Sequence, residues 1–201
     1  MITVLFKSIR KTLLTIVSLL IISGFGYAEP IGGVIESTGV TSLVRESNRL
    51  KSEVGTDVNI YDEAETANGR MLIEFLDEEK LSLTENSLVY IDDAYYDPDP
   101  SLSKMSIRMA RGTARFASGA GNRIKKQNVD VATPTANITM RGTDFTTTID
   151  ELGRTMVVLL PDEETGASSG EIVVYNDGGE VVLTEAYAAT VVSSYDTPPT
   201  P

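Results

Sequence analysis

Short runs of alternating apolar residues, cut by turn residues, constrain this chain more than any other feature. Met71, Ile73 and Phe75 alternate ahead of Asp77-Glu78-Glu79, and Leu81 and Leu83 alternate after it. A period of two turns one face of a strand inward and leaves the other outward. The pattern recurs at Val34, Val40 and Leu43, over residues 88–91, and at Met105, Ile107 and Met109. It continues at Val129 and Val131, then over 146–149, 156–160, 172–174, 181–183 and 186–192. Helical spacing is almost absent after residue 29, so the predicted class is all-β.

Turn chemistry divides these runs. Asp77-Glu78-Glu79 predicts a hairpin or a solenoid corner, and Asn176-Asp177-Gly178-Gly179 predicts a tight turn. Residues 92–103, D-D-A-Y-Y-D-P-D-P-S-L-S, predict a loop, because two prolines and four aspartates suit a sheet badly. Gly119-Ala120-Gly121-Asn122 predicts a flexible or tight turn. The T-P-P-T-P end predicts an extended, disordered tail over residues 194–201.

The start reads as an export leader. Lys7, Arg10 and Lys11 precede a largely apolar stretch over residues 13–25, and Gly26-Tyr27-Ala28 puts small residues where a signal peptidase reads. The expected cut lies between Ala28 and Glu29, leaving one domain over residues 29–193 and a periplasmic or secreted product. The apolar stretch is shorter than the ~20 residues a membrane helix needs. An uncleaved anchor is the alternative. Removing three of the 17 basic residues against 29 acidic ones leaves a mature net charge of −15. Such a surface repels nucleic acid and anionic lipid and suits cationic partners.

The chain has no cysteine and no histidine. Ser-His and Cys-His nucleophile pairs are therefore excluded, as are zinc sites of the usual nitrogen and sulfur ligands. No Walker-type phosphate loop occurs. Two carboxylates for glycoside cleavage need no fixed spacing, so a carboxylate-pair hydrolase ranks as the last of three functional readings. Asp92, Asp93, Asp97 and Asp99 carry oxygen ligands that suit calcium, although the spacing is not that of an EF-hand loop. The plainer reading is a solvated acidic loop. Tyr90, Tyr95 and Tyr96 nearby read either as a contact patch or as rings leaning on the sheet. No cofactor is expected.

The most particular segment is T133-P-T-A-N-I-T-M-R-G-T-D-F145. It reads as a strand interrupted by Arg141 and Gly142 and resumed at Phe145. A guanidinium offers five donors in a fixed fork, which suits main-chain carbonyls at a corner or a clamp on Asp144. Gly142 would supply positive φ or a close approach. Thr133 and Pro134 shape the entry to the strand. A ligand role for Arg141 is the alternative. Arg111-Gly112-Thr113 echoes Arg141-Gly142-Thr143, each shortly before a phenylalanine, and stacked solenoid coils produce such echoes.

The order of several segments resembles the FecR-like domain. The segments are I31-G-G-V-I-E-S-T-G39 with Val44-Arg45; V54-G55, D62-E-A-E-T66 and N68-G-R70 running into I73-E-F-L-D77; and L81-S-L-T-E-N-S-L-V-Y-I91. G112-T-A-R-F-A-S-G119, the 133–145 motif, and G170-E-I-V-V-Y-N-D-G-G with V181-V-L-T complete the set. The resemblance implies an exported all-β domain, solenoid-like or roll-like, used for contact with a protein or envelope polymer rather than for catalysis. Its motif residues Thr133, Pro134, Ala136, Arg141, Gly142, Thr143 and Phe145 are then expected to be structural. Related regulators carry a cytoplasmic sigma-binding segment, for which residues 1–12 are too few, so the stand-alone exported form is expected. A membrane-anchored signalling component is the alternative. Relatives tend to place a glycine where this chain has Asp77-Glu78-Glu79, which implies another turn type or a more open turn there. Open strand edges leave a homo-oligomer possible.

Overall fold

The structure is a computed structural model and describes residues 29–99, 102–118, 128–141, 143–162 and 165–200. The leader over residues 1–28, with Ala28 at its expected cut, lies outside the described residues. So do the Gly119-Ala120-Gly121-Asn122 turn, Gly142 and the side chain of Arg141. Glu29 is exposed at the start of the described chain.

The alternating runs form strands that divide between two hydrogen-bonded ladders. The chain begins in the first ladder with β1 (Gly32–Thr38) and crosses to the second for β2 (Thr41–Arg45) and β3 (Asn48–Lys51). β4 (Asp57–Val58) returns to the first, β5 (Glu63–Thr66) lies in the second, and the hairpin β6 (Arg70–Phe75) and β7 (Lys80–Leu83) is in the first. β8 (Leu88–Tyr95) belongs to the second ladder and β9 (Lys104–Ala117) to both. β10 (Asn128–Ala132) and β11 (Asn137–Arg141) lie in the second, then β12 (Asp144–Ile149) and β13 (Thr155–Leu159) in the first. β14 (Glu171–Asn176) and β15 (Gly179–Leu183) return to the second, and β16 (Ala189–Val192) ends in the first.

The first ladder runs β4-β1-β6-β7-β9-β12-β13-β16 and the second runs β3-β2-β5-β8-β9-β10-β11-β14-β15. Residues 104–111 of β9 pair in the second ladder and residues 112–117 in the first. The switch falls at Gly112, whose φ is +88°. A strand that bends from one sheet into another needs such a point. The inward residues of both ladders, among them Leu43, Ile73, Leu81, Ile107, Ile138 and Phe145, share one core. With no cysteine to cross-link the chain, this burial and the ladders carry its stability.

Three expectations change. A stack of solenoid coils would pair its strands in parallel, but among the described residues every strand pair is antiparallel except β9 with β10. The turns are the cause. Glu46 and Ser47, Asp77 to Glu79, and Asp177 with Gly178 reverse the chain within a ladder, so neighbours pair as hairpins. Second, the loop expected from residue 92 starts at residue 96, because β8 runs on to Tyr95 with Asp92 held by Arg108. Third, residues 194–200 are tied down. Thr200 and Val191 exchange main-chain hydrogen bonds of 3.2 and 3.0 Å, and Asn176 Nδ2 reaches the carbonyls of Ser194 and Thr197 at 3.1 and 2.7 Å.

The Asp77-Glu78-Glu79 turn is tight rather than open. Glu78 takes φ +69°, the conformation that usually selects glycine. The Glu78 N–H donates to the Phe75 carbonyl at 3.0 Å, and the Glu79 N–H donates to Asp77 Oδ1 at 3.2 Å.

A candidate functional site on the outer face of the second ladder

The residues of one rung across the second ladder run Glu63, Tyr90, Arg108, Ala132, Asn137 and Tyr175 on β5, β8, β9, β10, β11 and β14. All six face outward, because Ala64, Val89, Ile107, Val131 and Ile138 beside them fill the core. Small Ala110 and Ala132 leave a depression beside the larger Tyr90 and Arg108. The resulting cleft of about 210 Å³ is lined by Tyr90, Arg108, Met109, Ala110, Ala132, Thr133 and Pro134.

Its polar wall is fixed in place. Arg108 lies over the Tyr90 ring with its central carbon 4.8 Å from the centroid. Its Nε and Nη2 donate to Asp92 Oδ2 and Oδ1 at 2.6 and 2.7 Å. Hydrogen bonding to Asp92 is the main cause holding the Arg108 guanidinium in its charged form. A cation stacked on a tyrosine and gripped by a fork loses little side-chain freedom when a partner arrives. Ordinary small-molecule pockets hold roughly 300–1,000 Å³. This cleft is smaller than those. A second cleft of about 380 Å³, lined by Glu36, Arg70 and Ser82 among others, lies on the first ladder, away from the 133–145 motif.

The motif residues hold the other wall. Thr133 Oγ1 donates to the Ala136 carbonyl at 2.8 Å and accepts the Ala136 N–H at 3.0 Å. The Thr155 hydroxyl donates to Thr133 Oγ1 at 2.9 Å, and Thr135 Oγ1 lies 2.8 Å from Thr155 Oγ1. Pro134 is exposed at the tip, while Ala136 is buried. Further on, Thr143 and Phe145 are fully buried. Thr143 Oγ1 lies 2.6 Å from Ser169 Oγ, and Asp144 accepts from Arg115 Nη2 at 3.2 Å and from the Ser118 N–H at 3.1 Å. The two arms of the motif thus part. Thr133 and Pro134 reach the cleft, and Thr143 to Phe145 enter the core.

The acidic loop does not gather. Asp92 is bound to Arg108, and Asp93 is exposed on β8. Asp97 accepts from the Tyr95 hydroxyl and the Asp99 N–H at 2.9 and 2.8 Å. Among the described residues no three acidic side chains come together as metal ligands. The tyrosines separate as well. Tyr90 lines the cleft, Tyr95 is exposed, and Tyr96 donates to the Ile31 carbonyl at 3.1 Å.

Sequence reasoning missed Arg108, because its partner Asp92 read as loop. It also missed Glu79, which is buried and has an Oε1 without a hydrogen-bond partner. Burial first, then the nearby Asp77 charge, pushes the Glu79 carboxyl up to about 8.

A family model described as FecR protein matches residues 62–162, half of the chain, from the start of β5 past the end of β13. The chain belongs to this family. Membership makes it a member of a regulatory, non-enzymatic family and points to a signalling or regulatory domain of the cell envelope. No curated protein and no solved structure matches the chain.

Proposed function

We propose that the chain is an exported, non-catalytic FecR-type interaction domain of the bacterial envelope, and that the outer face of the second ladder meets its partner, a protein or envelope polymer. One observation carries this reading. A preorganised Tyr90–Arg108–Asp92 cluster opens beside Thr133 and Pro134, two residues of the motif that most resembles the family. Tyrosine and arginine are the residues that carry much of the energy of protein contacts. The rest of the 133–145 motif serves the fold, as the burial of Ala136, Thr143 and Phe145 supports. Arg141 and Gly142 belong to the same structural role.

The leader is cut after Ala28, releasing the domain to the periplasm or beyond. A retained leader would instead hang the same domain from the inner membrane as a signalling component. The first residue of the purified protein separates the two: Glu29 marks release and Met1 marks the anchor. Capture from envelope extract at two salt concentrations tests the surface. Binding that survives salt fits the apolar, aromatic cleft, whereas binding lost with salt places the contact on the acidic surface instead.

A further inference from the structure

Two open ladders have four edges, and three of them are guarded. β4 is two residues long. β16 is covered where Thr200 bridges Val191. β3 carries Arg49 and Lys51 on either side of Leu50. Pairing β3 with its own copy about Leu50 would set each Arg49 opposite the other copy's Lys51, a like-charge contact.

β15 differs. Among the described residues it pairs only with β14. Asn176 and Gly179 flank a two-residue turn and exchange the closing hydrogen bonds, so Val181 and Leu183 also bond toward β14. Glu180 and Val182 therefore direct their N–H and C=O groups to the open edge. Val182 is 46% exposed. A twofold about Val181 would match Gly179 with Leu183 of the other copy and Glu180 with Val182. All five residues are used and no two charges meet. This register is self-complementary, as an isologous interface requires.

We infer that the protein associates with a second copy of itself by antiparallel pairing of β15 with β15. The second ladder then continues from one copy into the next. On the reading above, this sets two Tyr90–Arg108 clefts on one continuous face, so that a partner with two contact points is held by both. A five-residue edge buries less than a standard interface of about 1,600 Å², so the association is weak and reversible. The net negative charge, −12 for the full chain and −15 without the leader, opposes it, and added salt strengthens it.

Sedimentation velocity of the purified protein over a concentration series tests this at low and moderate salt. The wild type is expected to dimerise, more tightly with salt. Val182→Glu sets two carboxylates opposite each other twice and is expected to weaken association about tenfold or more. Val182→Lys, at the same exposed position, faces the partner's Glu180 and is expected to keep or tighten the dimer. A monomeric wild type would overturn the inference. So would a dimer indifferent to Val182→Glu, or one weakened equally by both substitutions. Failure here leaves the cleft reading standing, since partner capture is measured separately.

Discussion

Phe116 on β9 and Phe145 on β12 are register partners whose rings stack with centroids 4.8 Å apart and planes 10° apart. Each follows an Arg-Gly-Thr triplet. The first triplet spans the point where β9 leaves the second ladder for the first, and the second begins at Arg141, the last residue of β11 in the second ladder, and ends at Thr143, just ahead of β12 in the first. Both triplets thus stand where the chain passes from the second ladder to the first, and the two phenylalanines meet beyond them. Phe145→Ala is expected to cost about 3–5 kcal/mol in urea unfolding. A double-mutant cycle with Phe116→Ala should return a coupling of about 0.5–1.5 kcal/mol.

Gly112 makes the bend in β9 possible. A Cβ placed there would lie 2.4 Å from Ser87 Oγ and 2.5 Å from Ser87 Cα. Ser87 cannot retreat easily, because its Oγ donates to the Thr113 carbonyl at 3.0 Å and accepts the Thr113 N–H at 3.1 Å. Gly112→Ala is expected to lose about 2–4 kcal/mol from the left-handed conformation and the clash together. An unchanged urea midpoint would show that the bend tolerates a side chain.

Glu79 gives the fold a pH dependence of defined sign. Its folded carboxyl titrates at about 8, above the ordinary glutamate value of about 4.3 in the unfolded chain. Between these values the folded state holds a proton that the unfolded state releases. The contribution of Glu79 is thus fully present below about pH 4.3 and is lost as pH rises through about 8. Asp77 and Tyr96 are the titratable neighbours, and burial pushes the Tyr96 hydroxyl upward too. Glu79→Gln should remove the slope and raise the melting temperature above wild type at pH 9 by several degrees, about 2–4 °C per kcal/mol. Parallel melting curves for the two proteins across this range would refute the assignment.

The carboxyl-terminal segment clamps the two ladders together. Asn176 Nδ2 on β14 reaches the carbonyls of Thr135, Ser194 and Thr197, and Thr200 covers the β16 edge. Deleting residues 194–201 is expected to lower the melting temperature by several degrees, about 1–2 kcal/mol, and to promote aggregation through the uncovered edge. A melting curve and light scattering of the shortened protein check both effects.

Much of the fold was legible. Period-two runs such as Met71-Ile73-Phe75 and Met105-Ile107-Met109 identified strands and their inward faces, and Asn176 to Gly179 identified a turn. Strand partners were not legible, because a period of two says which face is buried and nothing about which neighbour is bonded. The tail was misread because Pro and Thr lack a packing signature of their own, while its anchor, Asn176, lies in a distant hairpin. The cleft was half visible. Thr133, Pro134 and Tyr90 stood out, but Arg108 becomes informative only when β8 and β9 set it beside Asp92 and Tyr90.

The proposed contact surface is the cleft at Tyr90 and Arg108. Capture from envelope extract by the wild type and by a Tyr90→Ala, Arg108→Ala double variant tests it most directly, with matching far-ultraviolet spectra as proof of folding. The expected result is a partner retained by the wild type and reduced at least about tenfold by the variant. Equal retention of that partner by a folded double variant would contradict the claim.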